Sequence, residues 1–124
     1  MIARRALRDA VGLVALVLLV GCATVPSVPL TDVRPLVGKW RGTITVGMGA
    51  PHFYYLTVNP DATIVAEWGP NWQWGTITLG GGQTRFELSH RVSGTLLYFN
   101  GSEGPVITMT PDFSGWYVYV TPLT

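Results

Sequence analysis

From Leu36 onward, apolar and polar positions alternate with a period of two. In the first segment Trp40, Gly42, Ile44 and Val46 share one side, and Lys39, Arg41, Thr43 and Thr45 the other. Further along, Phe86 and Leu88 oppose Arg85 and Glu87. Successive side chains of a strand point to opposite faces, so this pattern predicts strands with one packed and one wet face. Strands are expected near 38–47, 52–59, 62–68, 72–79, 83–89, 93–99, 104–110 and 114–121. Turn formers fill most gaps: Asn59-Pro60-Asp61, Gly69-Pro70-Asn71, Gly80-Gly81-Gly82, Asn100-Gly101 and Pro111-Asp112. Eight short strands joined by short loops favour an antiparallel meander, which either closes or leaves edges needing protection. The predicted fold is all-β: a small eight-stranded antiparallel up-and-down barrel over residues 36–124, following an N-terminal signal helix. A sandwich or an open half-barrel is the alternative.

The N-terminus follows a different rule. Arg4, Arg5 and Arg8 precede an unbroken run of Ala, Gly, Val and Leu from Ala10 to Val20, then Gly21-Cys22. A charged segment, a short apolar stretch and a small residue at the cut form the layout of a secretory signal, here residues 1–21. As a helix the apolar run would reach roughly 16 Å, against a bilayer hydrocarbon core of about 30 Å. A permanent span is not expected.

Leu19-Val20-Gly21-Cys22 closes that segment and resembles the lipobox of bacterial lipoproteins. The resemblance implies that Cys22 is lipidated on sulfur and becomes the acylated mature N-terminus. Several acyl chains, at about 0.8 kcal/mol per buried CH₂, give stable anchoring where a single chain is marginal. The residue after the cysteine is Ala23 rather than Asp. By the sorting pattern of enterobacterial lipoproteins, this implies the outer membrane, facing the periplasm.

Residues 22–35 contain Pro26, Pro29 and Pro35 and read as the lipidated cysteine with an extended tether. At about 3.1 Å per residue, a dozen such residues would hold the domain up to ~37 Å from the bilayer. Beyond the signal, charge is sparse and balanced, with Arg34, Lys39, Arg41, Arg85 and Arg91 facing six carboxylates. No basic field for nucleic acid is present. Cys22 is the single cysteine, so no intrachain disulfide can form and the domain must stand on its own core.

Gly38-Lys39-Trp40 opens the first strand and is similar to the Gly-x-Trp start of the calycin group, the lipocalins and avidins. The resemblance implies a Trp plugging one barrel end, here Trp40. There are three departures: no Thr-Asp-Tyr-type second motif is found, no C-terminal helix follows the strands, and the stretch 35–124 is much shorter than a lipocalin. No ligand contact is carried over.

The chemistry-bearing residues are few. His52 and His90 are the only histidines, and they have no close-spaced partners of the kind a zinc site needs. Ser89 and His90 are neighbours, which would place them on opposite faces of a continuing strand rather than together. Glu67 and Glu87 read as solvated carboxylates of the outer face. Gly80-Gly81-Gly82 has no following Lys-Ser/Thr or helix, so it reads as a hairpin turn rather than a phosphate loop. No catalytic set, metal site or cofactor is predicted.

The unusual feature is aromatic. Trp68, Trp72 and Trp74 flank the Gly69-Pro70-Asn71 turn, with Gln73 between the last two. Indoles beside an amide suit stacking on a sugar or gripping a partner, and these four residues are the candidate binding surface. Tyr54, Tyr117 and Tyr119 are expected on the barrel exterior. The functional expectation is a lipid-anchored envelope protein acting by binding or structural contact, with an envelope protein, glycan or lipid as partner. The alternative is a calycin-like barrel holding a small apolar ligand.

Overall fold

The computed structural model describes residues 25–123, and Cys22 with its signal sequence lies outside them. Eight strands run in chain order: β1 (Gly38–Val46), β2 (His52–Val58), β3 (Thr63–Trp68), β4 (Asn71–Gly80), β5 (Gln83–Leu88), β6 (Val92–Gly101), β7 (Gly104–Pro111) and β8 (Trp116–Pro122). Each pairs antiparallel with the next, and β8 returns to β1, so the sheet is a closed up-and-down barrel. The closing seam runs in register from Trp40↔Pro122 to Val46↔Trp116. Backbone bonds beyond the strands extend it at both ends, from Leu123 N–H to the Lys39 carbonyl and from Gly47 N–H to the Gly115 carbonyl. Closure gives every strand a partner on both sides, which is how a barrel avoids open edge strands.

The interior is packed with side chains at alternate positions. Ile44, Tyr54, Leu56, Ile64, Phe86, Leu96, Ile107, Met109, Val118 and Val120 are all buried. An eight-stranded barrel is just wide enough for its own side chains to fill, and these fill it. Tight curvature depends on inward-facing glycines. A Cβ at Gly42 would lie 1.9 Å from the Tyr119 carbonyl oxygen, and one at Gly75 would lie 1.9 Å from that of Glu87. No side chain fits there, and the neighbouring strand takes the space.

The two ends of the barrel differ. Where β1 begins, a single 3-10 turn, Arg34–Leu36, sets Leu36 across the opening. Its entry is fixed by Asp32, whose carboxylate accepts from the Arg34 backbone N–H and Nε, both at 2.9 Å. The buried Trp40 indole N–H donates to the Leu36 carbonyl at 2.8 Å, and Val33 is buried in the same cluster. This end is shut. The opposite end, where β1 finishes, is a shallow mouth.

The segment read as a tether does not stand away from the barrel. From Val25 onward it lies on the domain. Val28 N–H donates to the Tyr98 carbonyl at 2.7 Å, and Leu30 packs against the core. The reason is local: β5 pairs with β6 only as far as Arg85↔Thr95, which leaves the Tyr98 carbonyl available to the incoming chain. Proline kept this segment extended, as its composition required, but an extended segment with free N–H groups can pair as well as span. The long reach expected from a dozen tether residues therefore does not apply to those after Val25.

Candidate functional site

Trp68, Trp72, Gln73 and Trp74, the candidate binding surface, are close in the chain, and the barrel separates them into two places. β4 is buried at Gly75 and Ile77, so Gln73 shares the inward face while Trp72 and Trp74 point outward. On β3, Ile64 and Ala66 are inward, and Trp68 follows them. The amide thus lies on the opposite side of the sheet from the two indoles it separates in sequence. This corrects the picture of a single indole–amide cluster. Position in the chain brought the four together, and the strand period of two divides them.

The inward pair lines the mouth. Tyr54, Trp68, Gln73 and Trp116, with Ile44 and Leu88 beneath, enclose a cavity of about 110 Å³. Tyr54 is fully buried rather than on the barrel exterior, the place expected for it. It is on the face of Leu56 and Val58, and its ring stacks on Trp68 with centroids 5.5 Å apart and planes at 22°. Its hydroxyl finds no hydrogen-bond partner among the described residues. Burial pushes that hydroxyl well above the ordinary tyrosine range. The signal was present in the sequence as the parity of Tyr54, Leu56 and Val58, but the polar tip of tyrosine suggests the surface.

The outward pair forms part of an aromatic face. Trp72 and Trp74 are 63% and 60% exposed. The register sets Tyr55 opposite Glu67, and Glu67 opposite Trp72, on the exterior of β2, β3 and β4. Val65 lies opposite Trp74 in the adjoining row. A carboxylate therefore sits between two aromatic rings, with a further indole alongside.

A second exterior face, on β6, β7 and β8, was legible only in part. A groove of about 430 Å³ runs there, lined mainly by Val25, Leu97, Phe99, Val106, Tyr117 and Tyr119. Tyr117 and Tyr119 are on the exterior, each 45% exposed. Partial burial, with the neighbouring Tyr119 adding to it, raises the Tyr117 hydroxyl above its usual value. Leu97 and Phe99 look like core in the sequence because Leu96 and Tyr98 beside them are apolar too.

The remaining candidates are dispersed. His52 starts β2 at the mouth rim and His90 sits in the β5–β6 turn, both exposed. Among the described residues no group of three His, Cys, Asp or Glu converges as a metal site would. Glu67 and Glu87 are exposed on the outer surface. One polar contact ties three strands together: Arg85 on β5 donates through Nη1 and Nη2 to the carboxylate of Asp112, just after β7, and through Nη1 to the hydroxyl of Thr95 on the intervening β6 at 3.1 Å. That pairing draws the Asp112 carboxyl below its usual range. Comparison with family models, curated proteins and solved structures gives no match.

Proposed function

We infer that this protein is a lipid-anchored component of the bacterial envelope, held at the outer membrane and facing the periplasm. It acts by binding through its barrel exterior rather than by catalysis. The supporting observation is the exposure of Trp72 and Trp74 on a barrel whose interior is already filled. Two exposed indoles expose a large apolar area that the fold does not require for its core. Placed around Glu67 and beside Tyr55, they offer flat aromatic surfaces with a carboxylate acceptor between them. Aromatic rings stack on the apolar face of a pyranose while a carboxylate accepts from its hydroxyls, so among envelope partners this row favours a glycan.

The barrel-ligand reading is supported by the mouth cavity with its unpartnered Tyr54 hydroxyl. At about 110 Å³, it is well below the ~300 Å³ at which drug-sized ligand pockets begin. A lipid would have to displace core side chains.

The test is Trp fluorescence of the full chain titrated with peptidoglycan fragments, repeated with the Trp72→Ala, Trp74→Ala double variant. A saturable change that the variant loses, with stability reduced by less than about 1 kcal/mol per residue, is the expected result. A loss of about 3–5 kcal/mol per Trp would show the indoles to be structural, and an unchanged titration would remove the site.

A further inference from the structure

We propose that the groove on the exterior of β6–β8 is the surface by which the barrel rests on the lipid bilayer. This places the aromatic face of β2–β4 on the side turned away from the membrane. The inference rests on the lipid anchor at Cys22 and adds an orientation to it.

Three observations point the same way. First, the described chain begins at the groove. Val25 lines it, packed over Gly101, where a Cβ would meet the Val25 methyl at 3.1 Å. The Val28–Tyr98 backbone bond then fixes the segment to β6. Only Ala23 and Thr24 lie between Cys22 and Val25, so across those three residue steps the acylated end is at most about 11 Å of chain away. The polar headgroup layer is only about 5–8 Å deep on each side of the hydrocarbon. An anchor that short cannot hold the domain clear of the membrane, and the surface nearest the anchor must meet it.

Second, the groove suits that contact. Leu97, Phe99, Val106, Tyr117 and Tyr119 present apolar area, and among the described residues Glu103 in the β6–β7 turn is the one charged residue lining it. Tyrosines carry an apolar ring and a polar tip, the combination found at headgroup depth in membrane proteins. The closed end of the barrel is the other surface near the anchor, but it carries the exposed Arg34–Asp32 ion pair and Lys39.

Third, the topology separates the two exterior faces. In a ring of eight strands β7 stands opposite β3, four places away in either direction. The strands between them carry charge on their outer faces: Lys39 and Arg41 on β1, Arg85 and Glu87 on β5. The molecule thus has two apolar exteriors divided by polar flanks. With β6–β8 on lipid, Trp72 and Trp74 look outward.

The test uses the lipidated full chain in vesicles of phosphatidylethanolamine and phosphatidylglycerol, with nitroxide labels on single introduced cysteines. Lipidation consumes the only native thiol, so labelling is clean. Leu97→Cys reports the groove and Thr78→Cys the exposed face of β4. The mass of the N-terminal peptide is measured on the same samples. The expected result is that the Leu97 label collides with oxygen several-fold more than with a water-soluble nickel complex, while the Thr78 label shows the reverse. Equal water exposure of both labels, with Cys22 acylated, overturns the docking face and leaves the anchor intact. A Leu97 label shielded from both reagents, or broadened by a second nitroxide, means that protein covers the groove, and also overturns it. An unmodified Cys22 removes the anchor and the orientation together. As a second variant, Leu97→Glu with Tyr119→Glu is expected to shift the Thr78 label away from its lipid-distal position, since the face that sets the orientation is gone.

Discussion

Tyr54 stacks on Trp68 inside the barrel mouth and lines a small cavity there, and its buried hydroxyl has no hydrogen-bond partner among the described residues. Leaving a buried donor unmade costs about 1–3 kcal/mol. Tyr54→Phe keeps the ring and its stacking while deleting the orphan group. The variant is therefore expected to be as stable as the parent or more so, by about 1 kcal/mol, in urea unfolding. A loss exceeding about 1 kcal/mol would show that the hydroxyl is satisfied in solution by something held in the mouth.

The same residue sets an alkaline limit. Burial holds the Tyr54 hydroxyl above its ordinary value, so between the unfolded and folded pKa values the unfolded chain has released a proton that the native barrel retains. Its contribution to stability is fully present below the unfolded value near 10 and is lost as pH rises beyond it. Melting temperature should fall above about pH 10, and less steeply in Tyr54→Phe. The two proteins differ only at this hydroxyl, so the difference between the two curves isolates Tyr54. At the acid end the sign reverses. Asp112 is drawn down by Arg85, so its stabilisation is present above the unfolded carboxylate value and is lost as pH falls through the folded one. Asp112→Asn should flatten the acid limb.

The all-β class, the strand count and the closed meander were legible because period-two alternation and turn chemistry are both local properties. The strand bounds agree to within a residue or two, as with β5 at Gln83–Leu88 against an expected 83–89. The candidate surface was legible in composition but not in geometry. Trp68 and Trp72 are neighbours across a tight turn, yet one enters the mouth and the other faces solvent. Deciding between them needed the parity of β3 and β4 to be carried through the turn. The docking of Val25–Val33 was not legible at all. It depends on β5 and β6 parting after Thr95, a consequence of how the ring closes rather than of any residue in the segment itself.

Closure makes a sharp prediction at Gly75. A methyl group there would sit 1.9 Å from the Glu87 carbonyl oxygen, which belongs to the paired strand and cannot swing aside. Gly75→Ala is expected to cost about 3–5 kcal/mol, in the range reserved for steric or core disruption. Gly80→Ala, where a Cβ meets nothing within 4 Å, is the control and should change stability by less than about 0.5 kcal/mol. Equal effects at the two sites would mean that the barrel relaxes at its corner more readily than its register implies.

The β5–β6 turn stores strain that can be released. His90 and Arg91 both have left-handed backbone, with φ of 68° and 63°. Two consecutive positive φ values are the requirement of a type I′ turn, which favours Asn-Gly. The left-handed conformation costs a side-chain-bearing residue roughly 1–2 kcal/mol. Both residues are exposed, and the neighbouring strands are clamped from outside by Arg85 and Asp112. Replacing His90-Arg91 by Asn-Gly should therefore raise stability by about 1–2 kcal/mol, read as a higher urea midpoint at unchanged m-value. If the substitution leaves the glycan titration of Trp72 and Trp74 unaltered, the strain is a legacy of the sequence. A weakened titration would instead tie this turn, on the mouth side of the barrel, to the binding face.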